Sequence, residues 1–131
     1  MRATRRIITA STTAAASVAA LLAIGTPAHA ATTKFCGPPY AFALGCFYST
    51  GDYFTVQDMR VDGKRAVLKW TTDYGRSGEC HDANGANNPP TKCDYDFTEG
   101  HTLMFTTVVR NGANGADEFE SDLMTAWISG R

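Results

Sequence analysis

The chain has 131 residues, with 12 lysines and arginines against 13 aspartates and glutamates, a formal net charge of −1. That length allows one ordinary domain, and the charge balance offers no polycationic face for a nucleic acid or an anionic membrane. Four cysteines, five prolines and 12 glycines point to a small cross-linked fold rich in turns.

Residues 1–30 read as a secretory signal peptide. Arg2, Arg5 and Arg6 form a basic start, Ile7 to Ile24 is apolar and uncharged, and Ala28-His29-Ala30 is an A-x-A cleavage site. Thr9, Ser11, Thr12, Thr13 and Ser17 dilute the run, and no stop-transfer charges follow, which disfavours a membrane anchor. The arginine pair at 5 and 6 is compatible with twin-arginine export as well as ordinary secretion. Residues 31–131 are then a single secreted domain, expected to be extracellular and monomeric. Cleavage removes three arginines and no acid, leaving nine basic and 13 acidic side chains, a net charge near −4.

Cys36, Cys46, Cys80 and Cys93 all lie in this mature part. An even count in a short exported chain reads as two disulfides, for which three connectivities exist. Local pairing, Cys36 with Cys46 and Cys80 with Cys93, needs only two short closures. Each contributes about 3 kcal/mol if the chain-entropy treatment holds. Zinc is disfavoured, because neither pair has the C-x2–4-C spacing of a structural site.

Cys36-Gly37-Pro38-Pro39 blocks helix and central strand alike, so Tyr40, Phe42, Leu44 and Phe47 are expected to pack as an irregular flap. From Tyr53 the period becomes two. Phe54 and Val56 alternate with Thr55 and Gln57, then Met59 and Val61 resume out of phase, which predicts a bulge near Asp58. Asp62-Gly63 predicts a type I′ hairpin turn. The next strand turns Ala66, Leu68 and Trp70 inward. Cys80 and Cys93 are expected to tie the neck of a second hairpin, with Cys93, Tyr95 and Phe97 on its core face and Asp94 and Asp96 outward. His101 to Arg110 is apolar on both faces, the mark of a central strand or of a second contact surface. After an Asn/Gly loop at 111–117 and an acidic run to Asp122, Leu123 to Ser129 is a last strand with Trp127 as a core aromatic. No apolar 3.6 period persists for three turns. The class is all-β, a small antiparallel sandwich of six or seven short strands.

One set of residues resembles a known group. Asp-Gly before a strand ending in Trp70, then Tyr74-Gly75-Arg76-x-Gly78-x-Cys80, then Cys93-x-Tyr95-Asp96-Phe97-x-Glu99-Gly100, is similar to small exported, uncharacterised actinobacterial β-rich disulfide proteins. The likeness spans roughly residues 60–110. It implies export and a compact β fold, and no catalytic residue or ligand.

Candidate chemistry is sparse. Cys80-His81 sets a thiol beside an imidazole, but adjacent strand residues face opposite ways and the cysteine is expected to be oxidised. Ser77, His81 and Asp82 have the residue types of a triad without a framing motif, since Gly-Arg-Ser-Gly is not the G-x-S-x-G elbow. Asp94 and Asp96 form a same-face carboxylate pair, read as a solvated strand face. Asp82, Asn84, Asn87 and Asn88 could offer oxygens to calcium. The run Asn87-Asn88-Pro89-Pro90-Thr91-Lys92 resembles the βγ-crystallin calcium motif until Lys92, a cation where that motif has a ligand. No metal or cofactor is therefore expected.

The expected function is that of a non-catalytic interaction module, of inhibitor, toxin-component or adhesion type. It would present the disulfide-tied loop, Asn87, Asn88, Pro89, Pro90, Thr91 and Lys92, to a protein or cell-wall glycan. The alternative is a small secreted hydrolase using surface carboxylates. The loop is the favoured contact because its tip carries no apolar side chain larger than alanine or proline, yet it is fastened at its base.

Overall fold

Two-residue alternation decides which face of each strand is buried, and with it the layering. The computed structural model describes residues 33–38 and 42–129, so the expected signal peptide and Tyr40 lie outside the described residues. Nine strands and no helix occur among them. β1 (Lys34–Cys36), β2 (Ala43–Tyr48), β3 (Tyr53–Asp58) and β6 (Thr91–Asp94) form one sheet in the order β1-β2-β3-β6. β5 (Ser77–Asp82), β4 (Arg65–Thr72), β7 (Thr102–Arg110) and β8 (Asp117–Glu118) form the second, with β9 (Met124–Trp127) also pairing with β7. Every pairing is antiparallel. The expected sandwich is present, with nine short strands rather than six or seven, because four of them (β1, β6, β8 and β9) are only two to four residues long.

Phe54 is the hub of the core between the sheets. Its ring lies 5.0 Å from Phe47, 5.8 Å from Phe105, 6.0 Å from Phe97 and 6.1 Å from Trp70. The pairs with Phe97 and Phe105 meet edge to face, an arrangement that aromatic quadrupoles favour. Leu68, Leu103, Val109 and Ile128 complete the cluster, and Tyr95 packs against it. Close approach depends on two glycines. A Cβ on Gly45 would lie 2.2 Å from Thr107 Oγ1 and 2.8 Å from Leu68, and one on Gly78 would lie 2.6 Å from the Trp70 indole.

Both disulfides form as expected, Cys36–Cys46 and Cys80–Cys93. The first joins residues directly opposite each other on β1 and β2. The second does not tie a hairpin. β5 pairs with β4 and β6 with β3, so Cys80–Cys93 links the two sheets at one edge. The spacing of two cysteines fixes loop length and says nothing of whether the limbs pair with each other.

Four further expectations are corrected. Leu44 and Phe47 belong to the regular strand β2, paired on both sides, and not to an irregular flap. Asp62-Gly63 does not make a type I′ hairpin, because β3 and β4 belong to different sheets. Gly63 takes φ +75°, while the Asp62 carboxylate accepts the Lys64 N–H at 2.9 Å. No bulge restores the register at Asp58: β3 ends there, Asp58 is buried, and Met59 and Val61 are exposed in the crossover. Trp127 is 53% exposed and not in the core. Ala126 pairs with Leu103 and Met124 with Phe105 on the inward side, which turns Trp127 out beside Thr102.

The two tryptophans should therefore behave differently. Trp70 is 5% exposed, and Trp70→Ala should cost about 3–5 kcal/mol, whereas Trp127→Ala should change stability by less than about 1 kcal/mol. Iodide should quench one tryptophan readily and leave the other protected; equal quenching of both would contradict the assignment.

Candidate functional site

Where β3 ends and β5 ends, two connections face each other. Residues 59–64 cross from β3 to β4, and residues 83–90 cross from β5 to β6. Between them is an open cleft of about 400 Å³. Asp58, Arg60, Val61, Asp62 and Lys64 line one side, and Asn84, Gly85, Asn87 and Asn88 line the other.

The 83–90 loop is held from beneath by Asp82. This side chain is fully buried, and its carboxylate accepts Asp58 N–H at 2.7 Å, Thr91 Oγ1–H at 2.9 Å and, more weakly, Asn84 N–H at 3.4 Å. Within the loop, Asn84 Nδ2 donates to Pro89 O at 3.1 Å and Asn88 Nδ2 donates to Asn84 O. Gly85 takes φ +92°, a conformation suited to glycine, and Asn88 N–H reaches Gly85 O at 3.2 Å. A segment without regular structure is thus fixed by its own polar groups.

The opposite wall is charged, and two of its cations lie over aromatic rings outside the cleft lining. Asp58 is 4% exposed and accepts Arg60 N–H at 3.0 Å. Burial raises its carboxyl above the usual carboxylate range, and repulsion from Asp62 and Asp82 adds to this. The Arg60 guanidinium lies 4.7 Å from the centre of the Phe42 ring, which stacks on Phe119 at 4.5 Å. Lys64 pairs with Glu118 and lies 6.0 Å from the Phe119 ring. Phe119 is 57% exposed at φ +50°, an uncommon backbone position for a bulky side chain.

Asn87 and Asn88, of the six loop residues singled out from sequence, line the cleft. Pro89 and Pro90 are exposed beside it. Thr91 is committed to Asp82. Lys92 belongs to the outer face of the first sheet, 2.6 Å from Asp94 and 4.3 Å from the centre of the Tyr53 ring. Asp58, Arg60, Lys64 and Phe119 were not anticipated. The Asp62-Gly63 dipeptide signalled a turn there, but not a crossover bringing Asp58, Arg60 and Lys64 beside the asparagine loop. Among the described residues no group of three or more His, Cys, Asp and Glu is placed to hold a metal ion.

Ser77, His81 and Asp82 do not converge. Asp82 turns into the core, while His81 faces outward, 3.0 Å from Glu79 Oε2. Glu79 belongs to a network on the outer face of the second sheet. Arg110 reaches Glu79 Oε1 at 2.7 Å and Oε2 at 2.9 Å and also pairs with Asp117, which pairs with Lys69 at 2.6 Å. Hydrogen bonds from Arg110 hold both the Glu79 and Asp117 carboxyls below the usual range, and Arg110 is raised in return. The fully buried Val67 and Val108 share this face.

Carboxyls depressed by folding stabilise the protein above their unfolded pKa, and that contribution is lost as pH falls through their folded values. Arg110→Met should therefore destabilise by about 1–3 kcal/mol near neutrality. The gap between variant and wild type should narrow in acid, once Glu79 and Asp117 are protonated. Urea titrations across pH would measure it, and a gap constant with pH would place the Arg110 contribution in packing instead.

Comparison with protein-family models, with curated proteins and with solved structures finds no match for this chain.

Proposed function

We propose that the protein is a secreted, non-catalytic interaction module, of inhibitor, toxin-component or adhesion type. Its contact surface is the cleft between the 59–64 and 83–90 connections, and its partner is a protein or a cell-surface glycan. The observation that carries this reading is the fixing of the 83–90 loop. Asp82, Thr91, the asparagine bonds and the Cys80–Cys93 link all hold a segment that contributes nothing large to the core. A loop ordered before contact loses little entropy when it binds. The Asn87 amide, with Arg60 and the 79%-exposed Val61, offers polar and apolar contacts side by side. The two disulfides are consistent with an extracellular location, and the A-x-A site of residues 28–30 supports secretion.

Asn87→Ala combined with Val61→Ser removes two cleft contacts that no other structural role requires. Stability should move by about 0.5 kcal/mol or less for each change, as at other surface positions. Capture of partners from culture supernatant and cell-wall fractions should fall at least tenfold. Undiminished capture by the double variant would place the binding surface elsewhere. Thr91 and Asn88 are unsuitable targets, since both hold the loop itself.

A further inference from the structure

The edges of the two sheets differ in how they are closed. β5 and β6 meet at the Cys80–Cys93 link, where Tyr95 Oη–H also donates to Glu79 O at 3.1 Å. β1 is three residues long and tied to β2 by Cys36–Cys46, and β8 is two acidic residues. β9 is also short, at four residues, but it carries no disulfide and no charge. It pairs with β7 on one side, and no described strand pairs with it on the other; β1 lies nearby in the facing sheet without forming a ladder. Ile128 N–H donates to His101 O at 2.8 Å, and Ile128 O accepts Gly100 N–H at 3.0 Å. By the alternation of an antiparallel ladder, the peptide groups of Ala126 and Met124 also point to β7, and those of Thr125 and Trp127 point away. The strand has no lysine, proline or bulge to discourage pairing.

Large apolar side chains are exposed beside this open edge. Leu123 is 63%, Trp127 53% and Met104 37% exposed. Leu123 and Met104 also border a hollow of about 220 Å³ on the outer face of the second sheet. Leu123, Thr125 and Trp127 alternate along one face in the order apolar, hydroxyl, apolar, which reads the same in reverse.

We infer that β9 is a self-association edge, and that its occupant is β9 of a second copy, added antiparallel about a two-fold axis at Thr125. That register sets Thr125 opposite Thr125 of the second copy, Trp127 opposite Leu123 twice, and Met124 opposite Ala126 twice. Leu123 and Trp127 of each copy then meet an exposed apolar side chain of the other, and the threonines form a favourable cross-strand pair. The outward peptide groups of Thr125 and Trp127 gain partners. A shift of two residues would place Trp127 against Thr125 and lose this match, so the sequence specifies both partner and register. Asp122 lies beyond Leu123 at the end of the paired segment, and its counterpart lies at the far end, so the two carboxylates are not juxtaposed. Antiparallel two-fold pairing also closes on itself, giving a dimer and no filament. The expectation of a monomer changes accordingly.

Sedimentation equilibrium over a concentration series tests this, using protein recovered after expression of the full chain. The mass should rise from monomer to dimer and stop there, and Trp127 emission should shift to the blue over the same range. Thr125→Lys places two ammonium groups across the axis, and Trp127→Ser removes the apolar contact. Each should raise the dissociation constant at least tenfold, with circular dichroism and the thermal midpoint showing the fold retained. A mass that stays monomeric throughout, a dimer that both variants leave intact, or growth beyond the dimer would each overturn the inference.

Discussion

The carboxylate of Asp82 is where the two sheets and the long connection become one structure. It sits at the end of β5 in the second sheet and accepts the backbone N–H of Asp58, the last residue of β3 in the first. The same group accepts from Thr91, the first residue of β6, and from Asn84 in the loop. A buried carboxylate is tolerable only when its lone pairs are occupied, and here they are occupied by groups from different layers. Removing it would leave the Asp58 N–H buried without that acceptor and would release the loop at the same time. Two residues away, Cys80–Cys93 repeats the connection covalently, so this edge is closed twice.

A second buried aspartate plays the same part for the chain beyond β6. Asp52 lies in the β2–β3 turn at φ +52°, a region aspartate enters more readily than most residues. Its carboxylate accepts Phe97 N–H at 3.0 Å, and its carbonyl accepts Tyr95 N–H at 2.8 Å. Those bonds set the alternation of Cys93, Tyr95 and Phe97 toward the core after the ladder of β6 has ended. Arg76 adds a cover, its guanidinium 5.4 Å from the centre of the Phe97 ring and 5.9 Å from that of Trp70. In this small sandwich, polar groups position the aromatic rings, and the rings supply the apolar area.

What the sequence disclosed follows from this division. Alternation is local, so the inward sets of β3, β4 and the Tyr95–Phe97 segment were legible, as were the class and both disulfides. Sheet assignment is not local. Asp62-Gly63 and the Cys80–Cys93 spacing both looked like hairpins, because a short connection between two strands reads alike whether the chain turns back or crosses to the facing sheet. Asp58 was read at a bulge, Asp82 as a loop oxygen and Asp52 drew no reading, for nothing in a single sequence announces that a carboxylate will receive backbone N–H groups from another layer. Trp127 failed for a different reason. Residues 123–129 offer two apolar rows, Leu123 with Trp127 and Met124 with Ala126 and Ile128, and the choice between them is made by pairing to β7. The cleft was legible as one loop only, since its other wall comes from the misread crossover.

The two proposed surfaces lie apart. The cleft sits where β4 begins and β7 ends, as the pairing of Arg65 with Arg110 marks, whereas β9 pairs with the opposite end of β7, from Thr102 to Phe105. β5 and β9 are also on opposite sides of the second sheet. Joining two copies through β9 would therefore leave both clefts open and carry them on one rigid body. Weak contacts made by small loops gain most from such linkage, because after the first cleft engages, the second meets its ligand at a raised effective concentration. That gain exists only where the ligand repeats on a scale the dimer can span. A repeating cell-surface polymer or a protein array would meet the condition, and a single dissolved protein would not. A β9 dimer would thus couple the edge to the cleft by geometry, and only a multivalent partner would gain from it.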